Sequence, residues 1–216
     1  MITYDRKAKQ FVSEGRKVSR REVRAEINKL LETVEKSAAR YGKSYLSSEI
    51  SLAEFRLGMQ DLLKSGHIVA ASVGKGGRAL MTQADWGKVG AKIKWQYGYL
   101  DKFAKKLERG ILSESAAASR AKSYASSVFV SFSNTFQEAQ TKFVAEGKNP
   151  LQARLIQNSE EGCSECEADA AEGWMSVDDM GEIGSRICGD YCKCDIEFSD
   201  DQNASDLDIQ VQVNVE

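Results

Sequence analysis

All five cysteines of this chain fall within the 32 residues from Cys163 to Cys194, and the other 184 residues contain none. Cysteine used merely as a small core residue would be scattered, so this clustering assigns the five a shared task. They read Cys163-Ser-Glu-Cys166, then 21 residues, then Cys188-Gly-Asp-Tyr-Cys192-Lys-Cys194. Two ligands two residues apart can grip a tetrahedral ion from one tight turn, and a second close-set group arriving from elsewhere completes the four. The pattern predicts a pair of zinc knuckles, with Cys163, Cys166 and Cys188 as ligands and Cys192 and Cys194 competing for the fourth position. A strand running Cys192-Lys-Cys194-Asp-Ile196-Glu-Phe198 carries both cysteines on the face of Ile196 and Phe198, because its side chains alternate with period two. Either can therefore point at the ion.

Other uses of clustered thiols fit less well. A disulfide framework leaves one thiol over, and the opening Met1-Ile-Thr-Tyr-Asp-Arg is polar almost at once where a secretory leader would be apolar. A redox CxxC needs a thiol of lowered pKa at a helix N-terminus. Glu161, Glu165 and Glu167 surround this one with negative charge, which predicts the opposite. A hydrolytic zinc needs an open coordination position and a nearby general base, and four or five thiolates leave no such opening. No enzymatic activity is expected.

The rest of the chain reads as helix. Its 216 residues include one proline, Pro150, so long stretches lack the commonest helix breaker. The expected architecture is mainly α: an elongated body of four to five helices, a small C-terminal zinc-knuckle module, and one or two short strands. A net charge of −2 exerts no global pull on nucleic acid or anionic lipid. No stretch approaches the roughly 20 apolar residues that cross a bilayer, so no membrane partner is expected.

Four segments follow. Residues 1–18 hold Tyr4, Phe11, Val12 and Val18 among basic residues, with Gly15 at a turn, and read as an arm that orders against a partner or as a frayed terminus. Residues 19–158 form the helical body. Its first helix opens at the capping box Ser19-Arg-Arg-Glu22 and is expected to end at Gly42; its second opens at Ser51-Leu-Ala-Glu54 and is expected to be weakened or ended at Gly66. The only histidine, His67, follows there and reads as solvated or structural. Val73-Gly-Lys-Gly-Gly-Arg78 lacks the order of a phosphate loop and reads as a flexible connection. A third, aromatic-rich helix starts after Thr82. A fourth, near Ser113, is small-sided in its first half and expected to pack there against the third. A short helix from Leu151 to Asn158 leads into the module, residues 159–198. Residues 199–216 are an acidic link and a strand, in which Leu207, Ile209, Val211, Val213 and Val215 alternate with polar residues.

Gly173-Trp174, lying between the cysteine groups, and the close Cys192-Lys-Cys194 resemble the C-terminal signature of tailed-bacteriophage minor head proteins, the Mu F-like or head-morphogenesis family. In that family a helical body ends in a CxxC-type pair, a glycine with a bulky residue, and a final group closing as Cys-Arg-Cys before a short strand. The matching positions are Cys163, Cys166, Gly173, Trp174, Cys188, Cys192 and Cys194. Gly15-Arg-Lys-Val-Ser19 resembles the opening segment of many such proteins, and Gly76-Gly77 through Gly90, with Gln96-Tyr97 and Leu100, resembles their central helical region. Where the family has proline, this chain has Val177-Asp-Asp-Met180-Gly181, and Lys193 stands for the arginine of the closing group.

The resemblance implies a virion or assembly component, made in the bacterial host cytoplasm, whose partners are other virion proteins (portal, capsid or connector) or copies of itself. The competing class, a zinc-ribbon adaptor for nucleic acid or a transcription-type partner, calls for a basic module. Between Glu160 and Asp201 only Arg186 and Lys193 are basic, against more than a dozen acids. Basic residues gather instead at Arg16, Lys17, Arg20, Arg21 and Arg24, either as a solvated helix face or as a contact for DNA or an acidic neighbour.

Overall fold

The computed structural model describes residues 2–5, 10–144, 152–157, 162–189, 192 and 194–199. It is mainly helical, as expected. Helix α1 spans Arg20–Leu46, α2 Leu52–Lys75, α3 Gln83–Glu108 and α4 Glu114–Val144. The first three start where the sequence places their caps. Ser19, Ser51 and Thr82 each accept a hydrogen bond from the backbone three residues on, and Glu22, Glu54 and Asp85 reach back to the cap. None of these helices is long and apolar enough to cross a membrane.

Two glycines expected to end or weaken helices end neither. Helix α1 continues past Gly42, and α2 runs through Gly66 and His67 to Lys75. At Gly66 and Gly74 the missing side chain admits α4, whereas at Gly42 a Cβ would meet α4 at ordinary van der Waals distance. A Cβ on Gly42 would lie 3.5 Å from the Ala117 carbonyl oxygen, one on Gly66 3.1 Å from Val128 Cγ2, and one on Gly74 would overlap the Phe132 carbonyl and the Thr135 hydroxyl. Helix α4 thus packs mainly on α1 and α2, and its small first half also meets α3, where the Phe103 ring stacks on that of Tyr124 at 6.0 Å. This corrects the expectation that it packs chiefly on the third helix. The connection after α2 is also ordered. Gly76, at φ 88°, caps α2 in the left-handed region that glycine enters without a steric penalty.

The described residues of the segment 1–18 pack on the helices as a small sheet, where an arm or a frayed terminus was expected. Strands β1 (Ile2–Asp5), β2 (Gln10–Ser13) and β3 (Arg16–Lys17) form an antiparallel meander. Glu14 and Gly15, both at positive φ, make the two-residue turn between β2 and β3. Ile2, Tyr4, Phe11 and Val18 are buried, Phe11 stacks on Phe136 of α4 at 5.6 Å, and the Tyr4 N–H donates to the Gly76 carbonyl. The apolar residues, too few to fold alone, borrow the aromatic half of α4 as their core.

The basic cluster divides accordingly. Arg16 pairs with Glu22 at 2.7 Å, while the Arg24 guanidinium covers the Phe129 ring at 4.0 Å and reaches Asp195 at 3.7 Å. Lys17 and Arg21 remain exposed; Arg20 opens α1.

The segment expected as a short helix from Leu151 to Asn158 contains strand β4, Gln152–Ile156. Ala153 and Leu155 are its buried positions, a period of two that a short apolar run does not distinguish from a helical turn. It is the central strand of a second sheet, between β5 (Met175–Ser176) and β6 (Asp195–Ser199). The module therefore reaches back into the region expected as helical body. The proposed strand Leu207–Val215 and the link before it lie outside the described residues.

Buried titratable side chains also join the helices. His67 is fully buried. Its Nδ1 lies 2.7 Å from the Ser131 hydroxyl and its Nε2 3.3 Å from that of Ser127, which itself donates to the Tyr124 carbonyl. The Ser127 oxygen therefore accepts from Nε2–H and Ser131 donates to Nδ1, a neutral imidazole in one tautomer. Burial, aided by the charge of Lys92, pushes its pKa down to about 4. Lys75 and Asp85, both almost wholly buried, pair at 2.9 Å, and Glu138 of α4 joins Lys75 at 3.5 Å.

Two outcomes test this arrangement. Phe11→Ala is expected to cost about 3–4 kcal/mol in urea denaturation, whereas a frayed arm would leave the midpoint unchanged. Burial would raise the Asp85 carboxyl, yet the Thr82 N–H and hydroxyl and the Lys75 ammonium hold it at about 2, below its ordinary 3.8. Its stabilising contribution is complete above 3.8 and lost as pH falls through about 2. Asp85→Asn should flatten that part of the acid-unfolding curve.

Candidate metal centre

Helix α5, Ser164–Glu172, carries the first cysteine pair: Cys163 is its N-cap and Cys166 lies in its first turn. The helix ends at Gly173, whose φ of 73° and ψ of −132° only glycine adopts readily. Trp174 follows and lies under the Arg154 guanidinium, 4.7 Å from its ring centre, while Arg154 pairs with Glu197 at 2.8 Å. The Gly-Trp step thus turns the chain out of α5 and seats it on β4 and β6. Met180 and Ile183 are the buried anchors of the loop that carries Cys188.

Two carboxylates of α5 hold that loop in place. Asp169 pairs with the buried Arg186, which also donates to the Glu182 carbonyl at 3.2 Å, and Glu165 accepts the Ile187 N–H at 2.7 Å. Cys188 is thereby brought to 3.6 Å, sulfur to sulfur, from Cys166. The Cys192 N–H donates to the Gly189 carbonyl at 3.1 Å. Cys194 directly precedes β6, where Ile196 is buried two residues on.

All five expected residues meet. Their sulfurs form two groups, Cys163 with Cys166 and Cys188, and Cys166 with Cys192 and Cys194, each with every sulfur within 4.8 Å of the others. Cys166 belongs to both. The five are free thiols, and Cys166, Cys192 and Cys194 are buried. A tetrahedral thiolate shell with metal–sulfur bonds of about 2.3 Å has sulfur–sulfur edges of about 3.8 Å, and the Cys166–Cys188 separation matches that edge. An all-sulfur donor set selects soft ions over magnesium or calcium. The cluster could hold a metal ion.

The thiols differ electrostatically. Cys163, beside the Cys166 N–H at the start of α5, is held down at about 7. This runs against the sequence argument, because hydrogen bonding from the Cys166 N–H, with smaller contributions from the Cys166 thiol and from Cys188, favours the thiolate by more than burial opposes it. Burial raises Cys166 and Cys188, and burial with the neighbouring Cys192 raises Cys194 to about 11. Thiols packed this closely oppose one another's ionisation; a cation at their centre reverses that sign.

Sequence reasoning missed the residues that position the ligands: Arg154, Glu165, Asp169 and Arg186. One signal was available. Between Cys163 and Gly189 Arg186 is the one base among seven acids, and a lone base in an acidic segment is apt to be paired within it.

Comparison of the chain with protein-family models, with curated proteins and with solved structures gave no significant match. The reading of the centre rests on its own geometry.

Because Cys166 is common to both sulfur groups, Cys166→Ser should abolish metal retention, measured as metal per chain after gel filtration under anaerobic conditions. Cys192→Ser and Cys194→Ser should each lose less, and to different extents. Equal and complete loss in both would mean that all five thiols are needed.

Proposed function

We propose that this chain is a structural component of a tailed-phage virion, at the head or the head-to-tail junction, whose module is closed by one structural zinc. The observation that carries the reading is the junction of cluster and body: Cys166, Cys192 and Cys194 lie in the same apolar core as Val128, Phe129 and Phe132 of α4. A metal there braces the whole end of the helical body. Structural zinc contributes on the order of 10 kcal/mol in small modules, enough to hold a loop-rich segment whose sheet has three short strands among the described residues. An all-thiolate shell offers no position for substrate or water, which favours a bracing role over a hydrolytic one.

The residues of the phage head-morphogenesis resemblance also have physical work at this site: the cysteines gather, Gly173 supplies the left-handed turn and Trp174 stacks on Arg154. A nucleic-acid adaptor is disfavoured by the module's charge, seven acids against one base between residues 163 and 189.

Two measurements test the proposal. Anaerobically purified protein should contain one zinc per chain, and chelation should lower the cooperative melting of the helices as well as the module, since they share a core. Gradient-purified particles from a producing culture should contain the chain, and its absence from particles at every stage of assembly would reject the virion role.

A further inference from the structure

The five sulfurs form two groups of three that share Cys166, not one group of four. A single tetrahedral ion uses four thiolates and leaves the fifth thiol idle beside it. For metal–sulfur bonds of about 2.3 Å, three sulfurs spaced evenly around one ion in their own plane stand about 4.0 Å apart. In each group every sulfur lies within 4.8 Å of the others, and Cys166 and Cys188 are 3.6 Å apart. Each group is therefore sized for one three-coordinate ion, and the two groups together use all five thiols. They differ in exposure. Cys166, Cys192 and Cys194 are buried, whereas Cys163 and Cys188 of the other group are half-buried.

A thiolate keeps lone pairs after binding one cation, so the Cys166 sulfur can bridge two. Ions sharing a single sulfur repel each other least when they are singly charged, and here each must be soft and satisfied by three ligands. Zinc is doubly charged and takes four ligands in structural sites. Cu(I) meets all three conditions: it is monovalent, its filled d shell accepts three-coordination, and thiolate ligands select it. Two such ions also bring the same positive charge as one zinc. An entry path exists at the half-buried group, because Cys188 lines a cleft of about 260 Å³ between α3, α4 and its own loop. The fully buried group is closed off by the apolar core that it shares with Val128 and Phe129.

We propose that the centre is a two-ion site for Cu(I), one ion held by Cys166, Cys192 and Cys194, the other by Cys163, Cys166 and Cys188, with the Cys166 thiolate bridging them. In the zinc form four thiolates bind one ion and the fifth cysteine stays a thiol. On exchange two Cu(I) enter, one Zn(II) leaves and the fifth thiol gives its proton to solvent, which balances charge with no electron transferred. The inference rests on the metal reading of the cluster and is independent of the virion role.

The test is anaerobic titration of the full chain, as purified and after zinc removal, with Cu(I) delivered from a competing chromogenic chelator, followed by X-ray absorption at the copper edge. Two Cu(I) per chain are expected, each with three sulfur neighbours and a copper–copper vector, and one zinc should be released per chain as they bind. Cys163→Ser, at a half-buried position, should keep one Cu(I) and lose the vector. Cys194→Ser should do the same, and Cys166→Ser should lose the vector and retain less copper than either. Circular dichroism establishes that each variant is folded, and Cys163→Ser alone suffices if the buried replacements are not. One Cu(I) per chain, more than two bound equally tightly, two without a copper–copper vector, or a vector that persists in Cys163→Ser would each overturn the proposal. A chain that holds one zinc but only one Cu(I) would leave the structural-zinc reading standing without this one. Two bridged coppers in a chain that retains no zinc would do the reverse.

Discussion

Helix α4 lies where it does because α2 presents hydrogen atoms in place of side chains at Gly66 and Gly74. At Gly74 the approach is so close that any Cβ would overlap the α4 backbone, and Thr135 uses the proximity to donate to the Ala71 carbonyl at 2.9 Å. Everything else is arranged around the helix thus admitted. Its first half, with Ala117 and Ala121, shares a core with α1, α2 and α3, and its second half, with Phe129, Phe132 and Phe136, shares one with the N-terminal strands and the cysteine module. Neither strand group has enough apolar area to stand alone. Each uses the aromatic half of α4 as the missing layer, which is the usual solution for a sheet with one hydrophobic face.

The buried polar groups reinforce that placement. His67 is held between two serines of α4, and Lys75 lies between Asp85 at the start of α3 and Glu138 of α4. An unpaired buried charge or imidazole is costly, so these contacts disfavour sliding of α2 along α4. They specify register more than they add stability, since the desolvation of each group offsets much of its attraction.

The module follows a different logic. Its apolar anchors are few, and its ligands arrive on separate elements: the cap and first turn of α5, a loop, and the approach to β6. What assembles them is charge pairing within an acidic segment, through Arg186 to Asp169 and the Ile187 amide to Glu165, followed by the thiols themselves. A soft cation suits the resulting cluster, because it converts mutual repulsion among ionised sulfurs into shared attraction.

Much of the architecture was legible from residue order alone. Two capping boxes and the Thr82 cap mark helix starts because they depend on side chains three residues apart, and the cysteine spacing picked out thiols that do come together because close-set pairs reach one centre with little help. Helix ends and short strands were not legible. Gly42 and Gly66 look like stops, yet whether a glycine ends a helix or admits a neighbour depends on what lies across from it. Ile2, Tyr4 and Phe11 on β1 and β2, and Ala153 and Leu155 on β4, have too few apolar contacts of their own to declare a period. Their conformation was decided only when α4 and the partner strands supplied the opposing surface, a long-range contact that no local pattern encodes. The sequence by itself determined which residues could bind a metal and where helices begin; the tertiary structure alone decided that Cys166 joins both sulfur groups and that the module and the N-terminal strands share a single aromatic support.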